Sequence, residues 1–345
     1  MDALPADARY AIIGGGFAGL ATAWALADAG VDGVVVLERD SRLCGHASSH
    51  NAAMCRALAE DDAWTALTAA GAAWLRSPPP GFTARPLVDD RGAVLLTRAP
   101  APLATAAARH QIRCAAITAA EVTARWPGLE VDRGGLWFPD DGCVDLDALT
   151  AGFVDGARRR GVRCVVDAGV TAIAHDGRAA LTTTKGVLRA DVVVAAGGAW
   201  SGALGALVGA ATDFTPKKRH LFALRLDLGA APIVWNVDAD EWYVRPDGGG
   251  VLASACDHTT SAPGEVEVDD AVRATLRARL PAAMRGLTIE RAWACQRTYA
   301  GGGPPRIGWD ARVPWWCWVA GLGGHGVTAS PAVGLRAAAV LRGPR

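Results

Sequence analysis

Three apolar runs along the chain stop at glycines. Tyr10-Ala11-Ile12-Ile13 ends at Gly14-Gly15-Gly16-Phe17-Ala18-Gly19, after which Leu20, Ala21, Trp24, Ala25 and Leu26 fall at helical spacing. Val192-Val193-Val194-Ala195 runs into Gly197-Gly198, and Trp315 to Ala320 runs into Gly321-Leu322-Gly323-Gly324-His325-Gly326. Each pattern predicts a strand, a glycine turn and a helix. Val34-Val35-Val36-Leu37-Glu38 reads as a further strand that ends in an acid. With the first strand and helix it closes a βαβ unit of about 30 residues, the context a G-x-G-x-x-G motif needs before it signifies dinucleotide binding.

Elsewhere the pattern is mixed. Residues 60 to 75 are helical in spacing, and Ser77-Pro78-Pro79-Pro80-Gly81 is a hard break. Leu87-Val88 and Val94-Leu95-Leu96-Thr97 are strand-like, separated by the turn Asp89-Asp90-Arg91-Gly92. Helices are predicted near 100 to 110, near 119 to 125 and over Leu146 to Arg160, with strands at Gly135 to Phe138 and Val162 to Val166. Between residues 216 and 300 the alternation of Leu221 to Leu226, Trp242 to Val244 and Val251 to Ser254 predicts an antiparallel sheet, followed by an amphipathic helix carrying Val272, Leu276 and Leu280. The nucleotide-binding part is therefore interrupted and resumed.

Composition narrows the function classes. The 345 residues carry 35 Lys+Arg against 35 Asp+Glu, for a formal net charge of zero. That length suits two domains at roughly 100–200 residues each, and the neutral balance lacks the cationic excess that nucleic-acid binding demands. Val192 to Thr212 is free of charge, but its glycines and Trp200-Ser201 break it, so no membrane span is expected. No basic-then-apolar leader stands at the N-terminus, and the eight cysteines form no CxxC pair. Both features suit a reduced, cytoplasmic enzyme. Lysine is scarce: Lys185, Lys217 and Lys218 are the only three, and two of them adjoin Arg219.

The glycines of the first turn have separate physical tasks. Gly14 permits the tight turn, Gly16 lets backbone amides approach a pyrophosphate, and Gly19 lets the helix lie close to the strand. Glu38 is placed to accept hydrogen bonds from a ribose diol, and its charge would repel a 2′-phosphate.

Further motifs carry a family resemblance over nearly the whole chain. They are Gly45-His46-Ala47-Ser48-Ser49-His50-Asn51-Ala52-Ala53, Gly142-Cys143-Val144-Asp145, Ala195-Ala196-Gly197-Gly198-Ala199-Trp200-Ser201, Pro216-Lys217-Lys218-Arg219-His220 and Tyr243-Val244-Arg245-Pro246. Arg297-Thr298, Pro305-Arg306-Ile307-Gly308 and Gly321 to Pro331 complete the set. With Gly14 to Gly19 and Glu38, these make the chain resemble the FAD-dependent oxidoreductases of the D-amino-acid oxidase, glycine oxidase and sarcosine oxidase superfamily, and within it the D-arginine dehydrogenase branch. The resemblance implies an α/β fold: an interrupted Rossmann-like FAD-binding domain (1–76, 141–215 and 301–345) and an α+β substrate domain with a mixed, largely antiparallel sheet (77–140 and 216–300).

It also implies the chemistry. An amine substrate in its neutral form would pass a hydride from its α-carbon to flavin N5, leaving an imine that hydrolyses, with the cofactor carrying the difficult step. FAD contacts are expected from Gly14, Gly16, Phe17, Ala18, Gly19, Glu38, Arg39, His46, Ala47, Ser48, Asn51, Ala52, Ala53, Val170, Ala196, Gly197, Trp200, Arg297, Gly323, Gly324, His325, Gly326, Val327 and Thr328. Arg219 and Arg297 match the family's substrate arginines, whose planar forks suit an α-carboxylate, and Tyr243 matches a phenol over the same group. His46 is expected near the flavin and the substrate amine, where a neutral imidazole can take the ammonium proton. No metal is expected, because Cys44, His46, His50 and Cys55 match no standard zinc spacing. Cys295 lies roughly where some sarcosine-type relatives tether FAD, and reads here as a small buried residue.

Two departures bear on specificity. Where the D-arginine dehydrogenase pattern carries a glutamate for the substrate guanidinium, this chain has Ala84, with Arg85 beside it, which argues against a cationic side chain. Val251 to Ala255 offers no lysine of the kind that helps oxygen react in sarcosine oxidase-like members, which leans toward a dehydrogenase and leaves oxygen, a quinone or another acceptor open. The expected substrate is a small carboxylate-bearing amine. A 2-hydroxy acid dehydrogenase on the same fold, and a non-catalytic flavin-binding subunit, are the alternatives.

Overall fold

The computed structural model describes residues 2–126, 128–226, 229–301 and 303–344. Among these, two eight-stranded sheets organise the chain. The first runs in the order Arg306–Trp309, Trp316–Ala320, Gly186–Ala195, Asp7–Ile13, Val34–Leu37, Arg163–Val165, with Val170–His175 and Ala179–Thr183 added as a meander beside Gly186–Ala195. The three predicted glycine-terminated strands are thus immediate neighbours. Ile13 stands beside Ala195, Ala195 beside Trp318, and all three strands are parallel, so their turns gather at one sheet edge.

Period-two alternation along these strands divides their side chains between two cores. Ile12, Val36, Val192, Val194, Cys317 and Val319 face one side, under the helices Phe17–Asp28, Leu146–Arg158 and Gly326–Arg342. Ala11, Ile13, Val35, Val193, Ala195, Trp316 and Trp318 face the other. The helix Phe17–Asp28 is buried along most of its length because it is rich in alanine, which lets its neighbours approach closely. Among the described residues no helix is long and apolar enough to cross a membrane.

The second sheet runs Ile289–Ala300, Phe214–Leu224, Gly250–Ser254, Trp242–Asp247, Ile233–Asn236, Ala93–Leu96, Gly135–Phe138, Ala115–Ile117. Its pairs are antiparallel except one: Ile233–Asn236 lies parallel to Ala93–Leu96, and this pair joins two segments far apart in sequence. The predicted turn at Asp89–Gly92 does not make a hairpin. Val88 bridges Val144, whereas Ala93–Leu96 pairs with Gly135–Phe138. The Asp89 carboxylate, which accepts from the Cys143 amide at 2.8 Å, holds the chain to a different partner before the strand begins. The strands Val170–His175 and Ala179–Thr183 were not predicted, because the first is largely exposed and shows no apolar alternation.

Candidate active site

A cavity of about 1650 Å³ extends from the glycine turns of the first sheet to the face of the second. That exceeds the roughly 300–1,000 Å³ of an ordinary small-molecule site, so it has room for a dinucleotide and a substrate together.

At one end the binding surface is mostly backbone. Gly14 adopts φ +113°, and a Cβ on it would overlap the Ala196 carbonyl, so the first and second turns touch only because the side chain is missing. Gly16 caps the helix Phe17–Asp28, whose first-turn amides have no partner within the helix. The Phe17 amide donates to Ser48 Oγ at 3.0 Å, which ties the 44–53 loop to this turn. Glu38 accepts from the Gly15 amide at 2.7 Å and from the Asp40 amide at 3.0 Å, and is thereby oriented at the end of its strand. The Arg39 guanidinium stacks over Trp200 at 3.6 Å. From the third turn, Gly323 to Thr328 bring in the N-terminus of Gly326–Arg342.

At the other end the surface is made of side chains. Lys217 stands opposite Arg297 and Arg219 opposite Cys295 in the Phe214–Leu224/Ile289–Ala300 pairing, so one sheet face presents all four. Arg219 is 3% exposed, and its Nε and Nη1 have no hydrogen-bond partner; the same holds for Nε and Nη2 of Arg297. Buried unpaired guanidinium nitrogens are costly, and an anion accepting from them relieves the cost. Tyr243 is buried, and burial pushes its phenol well above the ordinary range despite the nearby Arg219, so it is a hydrogen-bond donor at neutral pH. Burial likewise pushes the Cys295 thiol up to about 12, which leaves it un-ionised.

All but one of the residues expected to touch cofactor or substrate line this cavity. The exception is Gly19, which packs instead: a Cβ there would overlap the Gly14 carbonyl, so its bare backbone seats helix on strand. His46 lines the cavity but is not grouped with the arginines. Its Nε2 lies 2.7 Å from Asp40 and 3.0 Å from Arg39, and its ring tilts against Trp200 at 5.0 Å. The carboxylate six residues earlier in the same loop captures the imidazole.

Ala84 and Arg85 do not line the cavity: the preceding Phe82 is packed among Trp24, Trp74 and Phe153, and Arg85 pairs with Asp145 at 3.0 Å. Val251 to Ala255 carries no lysine, but Lys217 lines the cavity from another strand, with Nζ 5.2 Å from the centre of the Tyr299 ring. Other residues went unnoticed in the sequence, namely Arg56, Glu60, Trp235, Glu241, His258 and Trp293. No motif spacing marks them, and they reach the cavity from five separate segments. Glu60 meets Arg56 at 2.8 Å and His325 at 2.6 Å; burial works against its charge, and the Arg56 guanidinium with the His325 hydrogen bond overcomes it, holding the carboxyl below its usual range. Cys44, His46, His50 and Cys55 form no metal cluster, and no such group is found among the described residues.

The family model of the FAD-dependent oxidoreductases named DAO matches residues 9–340. The chain belongs to that family. FAD is its cofactor, and the backbone-lined end of the cavity fits a dinucleotide. A D-amino acid dehydrogenase of Bradyrhizobium diazoefficiens is 30% identical over 187 residues, covering 51% of this chain and 43% of that protein. A glycine oxidase of Bacillus licheniformis is 26% identical over 218 residues, covering 61% of this chain and 57% of its own. The match thus spans about half the length of these relatives. Among solved structures, an L-proline dehydrogenase from P. horikoshii superposes with TM-score 0.88 at 20% identity, covering 98% of this chain and 94% of the other. Glycine oxidase from Geobacillus kaustophilus follows with 0.82 at 23% identity, covering 98% and 95%. At these identities the likeness is one of fold, α/β with the same mixed sheets.

Proposed function

We propose that the protein oxidises the carbon–nitrogen bond of a small amino acid or N-alkyl amino acid, giving an imine that water hydrolyses. The observation that carries this reading is the pair Arg219 and Arg297, which line the cavity that the glycine turns enter and whose guanidinium groups hold four buried nitrogens without a partner. A substrate carboxylate accepts from both forks, and the Tyr243 hydroxyl donates to the same group. Holding the carboxylate at three points orients the α-carbon and removes the entropy cost of finding that arrangement in solution. When bound, FAD supplies the hydride acceptor.

In this reading Gly14, Gly16, Ser48, Glu38 and the 196–200 turn hold the dinucleotide, and Gly323 to Thr328 present helix amides to its far end. Gly324 has no side chain where Arg297 lies against it, so the guanidinium can approach the third turn. The electron acceptor is left open between oxygen, a quinone and others.

The test is an anaerobic screen of flavin bleaching over D- and L-amino acids, glycine, sarcosine, proline analogues and 2-hydroxy acids. Bleaching by an amino acid or N-alkyl amino acid is expected. Bleaching by 2-hydroxy acids alone, or a protein that retains no FAD, overturns the reading.

A further inference from the structure

We propose that Glu241 is the specificity residue for the substrate's ammonium group, seating that cation beside the carboxylate site and so separating amino acids from other small acids. The inference rests on the carboxylate clamp proposed above and adds its missing half, because a zwitterion needs an anion as well as cations.

Among the described residues, six acidic ones line the cavity: Glu38, Glu60, Asp61, Glu241, Glu265 and Glu267. Glu38 is engaged by two backbone amides of the first turn and the loop after its strand. Glu60 is neutralised by Arg56 and His325. Asp61 caps the helix Asp62–Arg76 by accepting from the Trp64 amide at 2.8 Å. Glu265 and Glu267 are exposed, on a segment outside the strands. Glu241 remains, and it stands among the carboxylate-binding side chains.

Its geometry leaves one oxygen available. Oε1 accepts from Trp235 Nε1 at 2.9 Å, and that indole packs against Tyr243 with centroids 5.1 Å apart, so the carboxylate is anchored through the same aromatic pair that fixes the phenol. Oε2 lies 3.9 Å from His258 Nε2, beyond hydrogen-bond distance. Arg219 Nη2 lies 3.2 Å from that same imidazole nitrogen, so Nε2 is engaged by the guanidinium rather than by Oε2. Cys256, the other titratable group near the carboxylate, has its thiol pushed up to about 12 by burial and stays neutral. Arg279 reaches only the Glu241 backbone carbonyl, at 3.0 Å. Burial opposes ionisation of Glu241, but His258 and Arg219 outweigh it and hold the carboxyl below its usual range.

His258 is itself held in place. Cys256 takes φ +54° just after the strand Gly250–Ser254, and Asp257 accepts from the His220 amide at 2.8 Å and from its ring Nδ1 at 2.7 Å. His220 is fully buried, and its Nε2 accepts from the Asp269 amide at 3.0 Å. The segment that carries His258 is therefore pinned at both ends, and the Glu241–His258–Arg219 spacing belongs to the fold.

A pair of non-oxidisable acids tests the assignment on the holoprotein. 2-Aminoisobutyrate has an ammonium and no α-hydrogen; pivalate has a methyl in the place of the ammonium. Calorimetric titration of wild type is expected to show at least tenfold preference for 2-aminoisobutyrate. Glu241→Gln is expected to cut that preference at least tenfold while changing pivalate affinity less than threefold. Arg297→Gln is expected to weaken both acids together. If both acids bind in an Arg297-dependent way and the Gln variant keeps the preference, the Glu241 assignment is overturned alone. If neither depends on Arg297, the clamp falls and the assignment with it. Should the Gln variant fail to fold, Glu241→Asp retracts the carboxylate by one methylene, and an undiminished preference in that variant overturns the assignment equally.

Discussion

The two ends of the cavity bind by different means. Around Gly14 and Glu38 the partners are backbone amides, helix N-termini and missing side chains, supplied by short glycine turns that are each local although they lie far apart in the chain. Around Arg219 and Arg297 the partners are side chains carried on several strands of the second sheet. A backbone site depends on conformation, which local sequence largely dictates. A side-chain site depends on register between strands that meet only in the folded protein, so the first end tolerates little change at glycine and the second tolerates substitution at the cost of affinity.

The sharpest way to break this contrast is Gly14→Val. A β-branched residue at φ +113°, with its Cβ against the Ala196 carbonyl, cannot keep the first turn. The purified variant is expected to carry no flavin absorbance; full retention of the yellow chromophore would show that the turn does not hold the dinucleotide. Arg297→Gln comes next. Removing a charged, buried hydrogen-bonding partner costs about 3 kcal/mol, which corresponds to roughly a 100-fold rise in half-saturating substrate concentration. Flavin content should be unchanged, and a colourless Arg297→Gln protein would move this residue to the other side of the comparison. Tyr243→Phe removes a neutral donor and keeps the ring packing against Trp235, so a rise of roughly fivefold is expected from about 1 kcal/mol.

Asp141 does not line the cavity and tests the buried scaffold instead. It is buried, its Oδ1 accepts from the Ala57 amide at 3.0 Å, and its Oδ2 has no partner. Burial raises its carboxyl to about 7, against the opposing pull of that amide and of Arg56 and Arg76. A folded-state value above the unfolded one means the native protein holds the proton longer, so stability falls as pH rises between about 4 and 7. Asp141→Asn cannot ionise. Thermal unfolding at pH 5 and pH 8 is expected to show the variant gaining on wild type at the higher pH, and a constant difference would refute the argument. The smallest effect is expected for His46→Ala. Because its contacts are Asp40, Arg39 and Trp200, the limiting rate of flavin reduction should change less than threefold. A large fall would restore it as a proton acceptor for the amine.

What was legible in the sequence follows the same division. The three glycine-terminated strands, the βαβ unit and Glu38 declare themselves within windows of about 30 residues, since periodicity and backbone constraint act locally. Arg219, Tyr243 and Arg297 could be named only through resemblance, because among 32 arginines nothing local distinguishes a cavity-facing one from a solvated one. The reading of His46 placed it at the amine, and only the fold shows the neighbouring Asp40 taking the ring. Ala84 was weighed as a specificity position, whereas the aromatic packing of Phe82 turns that loop away from the cavity.

By itself, then, the sequence determined the three glycine-terminated strands, the dinucleotide turn and the family to which the chain belongs. Which polar side chains share a wall was decided by tertiary structure. Glu241, His258 and Lys217 come to the same surface through antiparallel pairing and one pinned loop. Long-range register is set by the packing of whole sheets, and no local pattern encodes which residue of one strand will stand opposite which residue of another.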